Sequence, residues 1–147
     1  MRAIKKIVEV TMNHEKEKSL TINKINIVID CTDAGLMADF YSRFLGWELT
    51  RPQAGGWAAI TSPSGEVMAF QEVEGYRPPV WPWQPDQPGQ MIHLVFLVDD
   101  LEAGVRHALE CGAIEASRQF FKTSRTLLDP AGHPFCIDTD GPEDAPE

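Results

Sequence analysis

The chain is poor in cysteine, poor in basic residues and without a long apolar run, and each shortage narrows what it can be. Its three cysteines, Cys31, Cys111 and Cys136, give neither an even count nor a CxxC spacing, which fits reduced thiols better than a disulfide framework. Thirteen Lys and Arg face twenty-two Asp and Glu, a formal charge of −9. The first 24 residues hold six of the basic groups and three of the acidic ones, so the remainder is more acidic still. Such a body repels phosphate backbones, and nucleic acid is not an expected partner. It is compatible with a cationic ligand. No segment approaches the roughly 20 apolar residues of a membrane span, and the opening MRAIKKIVEVTM lacks an apolar stretch of signal-peptide length. A cytoplasmic location away from membranes is the expectation.

What the chain does have is internal repetition. Asn26 and His93, Asp33 and Asp100, Pro63 and Pro130, and Gly65 and Gly132 are each separated by 67 residues. Each anchor set opens on an apolar strand ending in an acidic turn, INIVIDCTD or HLVFLVDD, and closes on a Pro-x-Gly turn. A unit of that length is too long for a solenoid repeat and suits two fused copies of a small α+β module. At 147 residues with 43% hydrophobic content, the chain holds one well-cored domain.

Local patterns order each copy. Ile25, Ile27 and Ile29 alternate with Asn26, Val28 and Asp30 at the period of a strand. Thr32 or Asp33 caps a helix carrying Leu36, Met37, Phe40, Tyr41, Phe44 and Leu45, which Gly46 stops. Three short strands follow at 47–50, 57–61 and 66–73. The second copy repeats the order: strand 93–98, a helix with Leu101, Val105, Ala108 and Leu109, the stop Gly112, then strands 114–117, 123–128 and 134–138. The sequence divides into a leader at 1–22, disordered or adding an edge strand, one domain at 23–138 and an acidic tail at 139–147. Within the domain, module one spans 23–74 and module two 91–138. The Pro- and Trp-rich linker at 75–90 suits neither helix nor sheet interior.

The paired βαβββ order, FYSRFLGWEL, HLVFLVDDLEAGVRHALECGA and the closing DPAGHPFCID together resemble the glyoxalase/bleomycin-resistance/dioxygenase superfamily, also called vicinal oxygen chelate proteins, and within it the glyoxalase-like subgroup. The expected fold class is α+β: two tandem βαβββ modules forming one cupped, mostly antiparallel mixed sheet with helices on the outside. The resemblance implies a homodimer and, in metal-dependent members, His, Gln or Glu ligands on the first and last strands of each module. Carried over by position, those ligands fall on Asn26, Ala69, His93 and Cys136. Ala69 cannot coordinate, an amide oxygen is a weak ligand and a lone thiolate favours zinc over iron or manganese, so no metal and no other cofactor is expected.

Strand alternation sends one set of side chains under the helices and the other into the cup. Ile25, Ile27, Ile29, Met68, Phe70, Leu94, Phe96, Val98, Phe135 and Ile137 pack; Asn26, Val28, Asp30, Ala69, Gln71, His93, Val95, Leu97, Cys136 and Asp138 face the cup. His93 is the best candidate for a general base or a ligand-hydrogen-bonding group, with Asp30 and Asp138 as candidate orienting partners. Trp81 and Trp83 in the linker plug the cup or wall a flat ligand. Trp57 faces either way, and Trp47 closes the core. His133 serves its turn, and His107 and His14 are solvated. The expected ligand-binding set is Asn26, Val28, Gln71, His93, Cys136, Trp57, Trp81 and Trp83. Three functions remain open: a metal-free protein binding a small organic ligand in the cup between the modules, a metal-dependent lyase, isomerase or dioxygenase, and a partner-binding module without small-molecule function. Whether a reaction is catalysed stays open.

Overall fold

A computed structural model describes residues 19–139, so the expectations for residues 1–18, with Ile4 to Val10 as an edge strand and His14 as solvated, and for 140–147 lie outside the described residues. The first module runs β1 (Ile27–Cys31), α1 (Ala34–Leu45), β2 (Glu48–Ala54), β3 (Trp57–Thr61) and β4 (Val67–Glu72). The second runs β5 (Val95–Leu97), α2 (Leu101–Cys111), β6 (Ile114–Glu115), β7 (Ser124–Leu128) and β8 (Pro134–Asp138). The paired βαβββ order read from the sequence is therefore present. Its strands form two four-stranded mixed sheets, ordered β1-β4-β3-β2 and β5-β8-β7-β6, rather than one continuous ladder.

The duplication extends to register. In the parallel pair of each sheet, Val28 opposes Ala69 and Val95 opposes Cys136; in the next antiparallel pair, Ala59 opposes Ala69 and Thr126 opposes Cys136. Corresponding positions keep the 67-residue offset read from the sequence. Both helices start alike, because Asp33 accepts from the Leu36 amide at 2.9 Å and Asp100 from the Ala103 amide at 3.0 Å. These side chains satisfy amides that the first helical turn leaves open. Both helices end on a left-handed glycine, Gly46 and Gly112, where a side chain would be strained.

The alternation came out largely as expected. Met68, Phe70, Phe135 and Ile137 are buried, while Val28, His93, Val95 and Leu97 lie on the open face. Ile25 departs from it: the residue precedes β1 and is 77% exposed, because the strand begins beyond the helix that would cover it. Leu36 and Leu109 likewise point away from the core; the buried stripes run through Ala34, Met37, Ala38 and Tyr41 in α1 and Val105, Ala108 and Cys111 in α2.

The core crosses the module boundary. Phe44 of α1 meets Phe96 and Phe135 of module two at ring-centroid distances of 5.2 and 5.7 Å, and Phe40 meets Phe135 at 6.1 Å. Trp47 packs against this cluster, as expected. His107 is not simply solvated: its Nε2 lies 2.9 Å from the Phe44 carbonyl and its ring stacks on Phe44 at 5.7 Å. It satisfies a carbonyl in the last turn of α1, which has no partner within its own helix.

Candidate functional site

The open face of module two carries a cavity of about 360 Å³. Val95, Cys136 and Asp138 reach it from β5 and β8, Ser124 and Thr126 from β7, and His93 from just ahead of β5, which starts at Val95 rather than at residue 93. The 117–123 loop adds Gln119, Phe120 and Phe121, and Trp81 arrives from the linker.

Each side is held by identifiable contacts. The Gln119 side-chain amide donates to the carbonyls of Ala116 and Thr126 at 2.9 and 2.8 Å, and its oxygen accepts from the Thr126 amide at 2.7 Å. That three-point attachment fixes the loop carrying Phe120. Phe120 meets the Trp81 ring edge-on, with centroids 5.9 Å apart and planes at 85°, and the Arg118 guanidinium lies 5.2 Å from the Phe120 centroid. Trp81 Nε1 is buried with no hydrogen-bond partner among the described residues. On the floor, Ser124 donates to Asp138 and the Thr126 hydroxyl lies 3.6 Å from Cys136 Sγ.

The wall is thus apolar and flat, and the floor presents imidazole, thiol, hydroxyl and carboxylate groups. Among the described residues, no hydrogen bond holds the His93 ring. Asp138 is engaged by Ser124, and Asp30 accepts from Gln71 Nε2 at 2.6 Å, so neither candidate orienting carboxylate is directed at it.

The structure brings together His93, Cys136 and Trp81 from the expected ligand-binding set. Val28 and His93 line a different cavity, at the seam between modules. Gln71 pairs with Asp30 on the open face of module one, where Trp57 opposes it in register, and neither Gln71 nor Trp57 lines either of these two cavities. Asn26 is exposed ahead of β1. Trp83 is 64% exposed and lies over Gly89, where an added Cβ would come within 2.1 Å of the indole.

Sequence reasoning missed the loop aromatics and the surroundings of His133. The adjacent Phe120 and Phe121, apolar residues in a loop with no period to place them, were the available signal. His133 does more than complete its turn. Its Nδ1 lies 3.0 Å from Asp129 Oδ2 and its Nε2 3.2 Å from the Tyr76 hydroxyl, which donates to the Ala131 carbonyl at 2.6 Å. Asp129 is 2% exposed and also accepts from the Tyr41 hydroxyl at 2.8 Å and from the amides of Ala131 and His133. Burial first, and the adjacent Asp129 carboxylate second, hold both the Tyr41 and Tyr76 phenols above their ordinary range.

A metal-dependent member of the resembled superfamily needs several donors converging on one point. Among the described residues no three His, Cys, Asp or Glu side chains do so, and Ala69 offers no donor atom where a ligand falls by position. The residues present do not fit a divalent ion at that place. Among the described residues no helix is long and apolar enough to cross a membrane.

Two modules of one register, joined by a linker whose tryptophan walls an open-faced cavity on the second, define a paired-βαβββ protein. Residues 26–137 match the glyoxalase-like domain, and the chain belongs to that family. No curated protein matches the sequence significantly. Solved structures agree on the fold. A glyoxalase/bleomycin resistance protein/dioxygenase family enzyme from Burkholderia phytofirmans PsJN is 17% identical with a TM-score of 0.58, covering 78% of this chain and 95% of its own. A possible glyoxalase from Bacillus cereus is 11% identical with a TM-score of 0.59, covering 80% and 99%. A glyoxalase-related enzyme from Fulvimarina pelagi is 15% identical with a TM-score of 0.58, covering 86% and 98%. At these identities the likeness concerns fold alone.

Proposed function

We propose that the chain binds a small organic molecule, without a metal, in the cavity between Trp81 and the open face of module two. One observation carries this reading: the linker brings an indole onto Phe120 and opposite a floor of His93, Ser124, Cys136 and Asp138, in a volume of about 360 Å³. Ligand sites of this kind combine apolar walls with a few placed polar groups. The occupant is flat and partly apolar, and it carries an acceptor for the unpartnered Trp81 Nε1. His93 supplies a hydrogen bond to the ligand. A homodimer belongs to the same reading, since Val95 and Leu97 leave apolar surface on the open face for a second copy to cover.

The test is a screen of aromatic and heteroaromatic compounds by thermal shift, followed by affinities for Trp81→Ala, His93→Ala and Trp83→Ala. Loss of the Trp81 wall is expected to weaken binding about tenfold, the equivalent of about 1.4 kcal/mol. Trp83→Ala should have little effect. Equal affinity in the wild type and Trp81→Ala would refute the site. Stoichiometric metal in protein purified without a tag, lost in His93→Ala, would replace this reading with the metal-dependent one.

A further inference from the structure

A second cavity, also about 360 Å³, lies at the seam between the modules and shares only His93 with the first. β1 forms one wall, the linker and the approach to β5 form another, and the turn before β8 closes it. It reaches the core, because its lining includes Tyr41 and Phe135, each 1% exposed. The volume lies within the range of small-molecule pockets.

The polar groups on this lining sort into committed and uncommitted ones. The Tyr76 hydroxyl donates to Ala131, His133 Nδ1 faces Asp129, and Asp30 accepts from Gln71. Two remain. Gln90 Oε1 is buried without a hydrogen-bond partner among the described residues, a condition that buried acceptors rarely sustain. Arg77 is exposed and belongs to none of the ion pairs among the described residues, which involve Arg43, Arg125 and His133. An unpaired guanidinium suits a carboxylate, which it grips with two parallel hydrogen bonds.

We propose that the seam is a second ligand site, taking a short amphipathic acid with an apolar body, a hydrogen-bond donor for Gln90 and a carboxylate for Arg77. Small N-acyl amino acids have this chemistry: the side chain lies among Ile27, Ile29, Leu94 and Phe135, the amide N–H meets Gln90, and the carboxylate meets Arg77. The unpaired acceptor on Gln90 is then completed by the ligand rather than by the fold.

The experiment is an amide-resolved NMR titration of the protein with N-acetyl-leucine, its methyl ester and 4-methylpentanoate. These probes respectively keep both polar groups, lose the charge and lose the amide donor. Saturable shifts centred on Tyr76, Gly89 and Gln90 are expected for N-acetyl-leucine, with affinity at least about tenfold weaker for either control and in Arg77→Ala. Gln90→Leu distinguishes a ligand-facing acceptor from a structural one. It should raise the melting temperature of the free protein, since it removes an unpaired buried group, while weakening binding to the same degree as Arg77→Ala. Trp81→Ala should leave this binding unchanged, so failure here and failure of the Trp81 site are separable. The proposal is overturned if N-acetyl-leucine gives no saturable shift at millimolar concentration, if its shifts centre on Trp81 and Phe120, or if Gln90→Leu lowers the melting temperature and leaves binding intact.

Discussion

Removing the hydroxyl of Tyr41 tests the bond that ties module one to the DPAG turn of module two. That hydroxyl donates at 2.8 Å to Asp129, and both residues are almost fully buried, at 1% and 2% exposure. A hydrogen bond to a charged group contributes about 1.5–3 kcal/mol, so Tyr41→Phe should lower unfolding stability by that amount. In urea, with a slope of about 1–3 kcal/mol per molar, the midpoint should fall by about 1 M. Asp129→Ala should cost more, because it also strands the amides of Ala131 and His133 beside the Tyr41 hydroxyl. The pH dependence supplies a second reading. The folded-state pKa of Tyr41 is raised above the ordinary phenol value of 10.0, chiefly by burial and then by Asp129. The raised pKa contributes stability that is fully present below the unfolded value and is lost as pH rises above it, because the unfolded chain ionises first. The gap between wild type and Tyr41→Phe should therefore narrow above a pH of about 10. Other groups with raised values cancel in the difference. A gap below about 0.5 kcal/mol at neutral pH, or one that stays constant into the alkaline range, would refute the assigned bond.

Three further outcomes follow from the same structure. Phe135→Ala, which empties a site bordered by Phe40, Tyr41, Phe44 and Phe96, should cost about 3–5 kcal/mol in urea unfolding, and a loss below 1 would mean that the two modules do not share this core. The hydroxyls of Ser62 and then Ser64 hold the Glu66 carboxyl down at about 2. Its contribution is thus present above the unfolded value of 4.5 and fades as pH falls toward 2, and acid titration of Glu66→Gln should lack this component. Burial first and Glu72 second push the Cys31 thiol up to about 11, and burial raises Cys111, whereas Cys136 is half-buried. Alkylation near pH 8 followed by peptide mass spectrometry should find Cys136 modified first, and equal labelling of Cys31 would contradict its burial.

The fold was legible wherever a helix covers one side of a strand, because burial then enforces a period of two. Met68 with Phe70 and Phe135 with Ile137 could be placed from the sequence on that ground, and the 67-residue offset carried the argument from one copy to the other. It failed at Ile25, whose apolar side chain continues the pattern beyond the covered strand. The candidate site was half legible. His93 and Cys136 follow from alternation, and Trp81 from a large apolar residue held in a proline-rich linker. Phe120 and Gln119 obey no period, since their positions are set by hydrogen bonds to the edge of β7. His107 and His133 were undervalued because the groups that complete their environments, the Phe44 carbonyl and the Tyr76 hydroxyl, lie 63 and 57 residues away in the chain.

The aromatic seam between the modules has a consequence for how this protein can come apart. Phe44 and Tyr41 belong to the first copy by descent in the sequence, yet their partners Phe96, His107 and Asp129 belong to the second. Each half therefore lacks part of its own interior. Cutting the chain in the linker should yield two fragments that recover structure only when mixed, and the intact protein should melt in one cooperative step despite its two sheets. The duplicated ancestry is still visible in the register, but the two copies have become obligate partners within one chain.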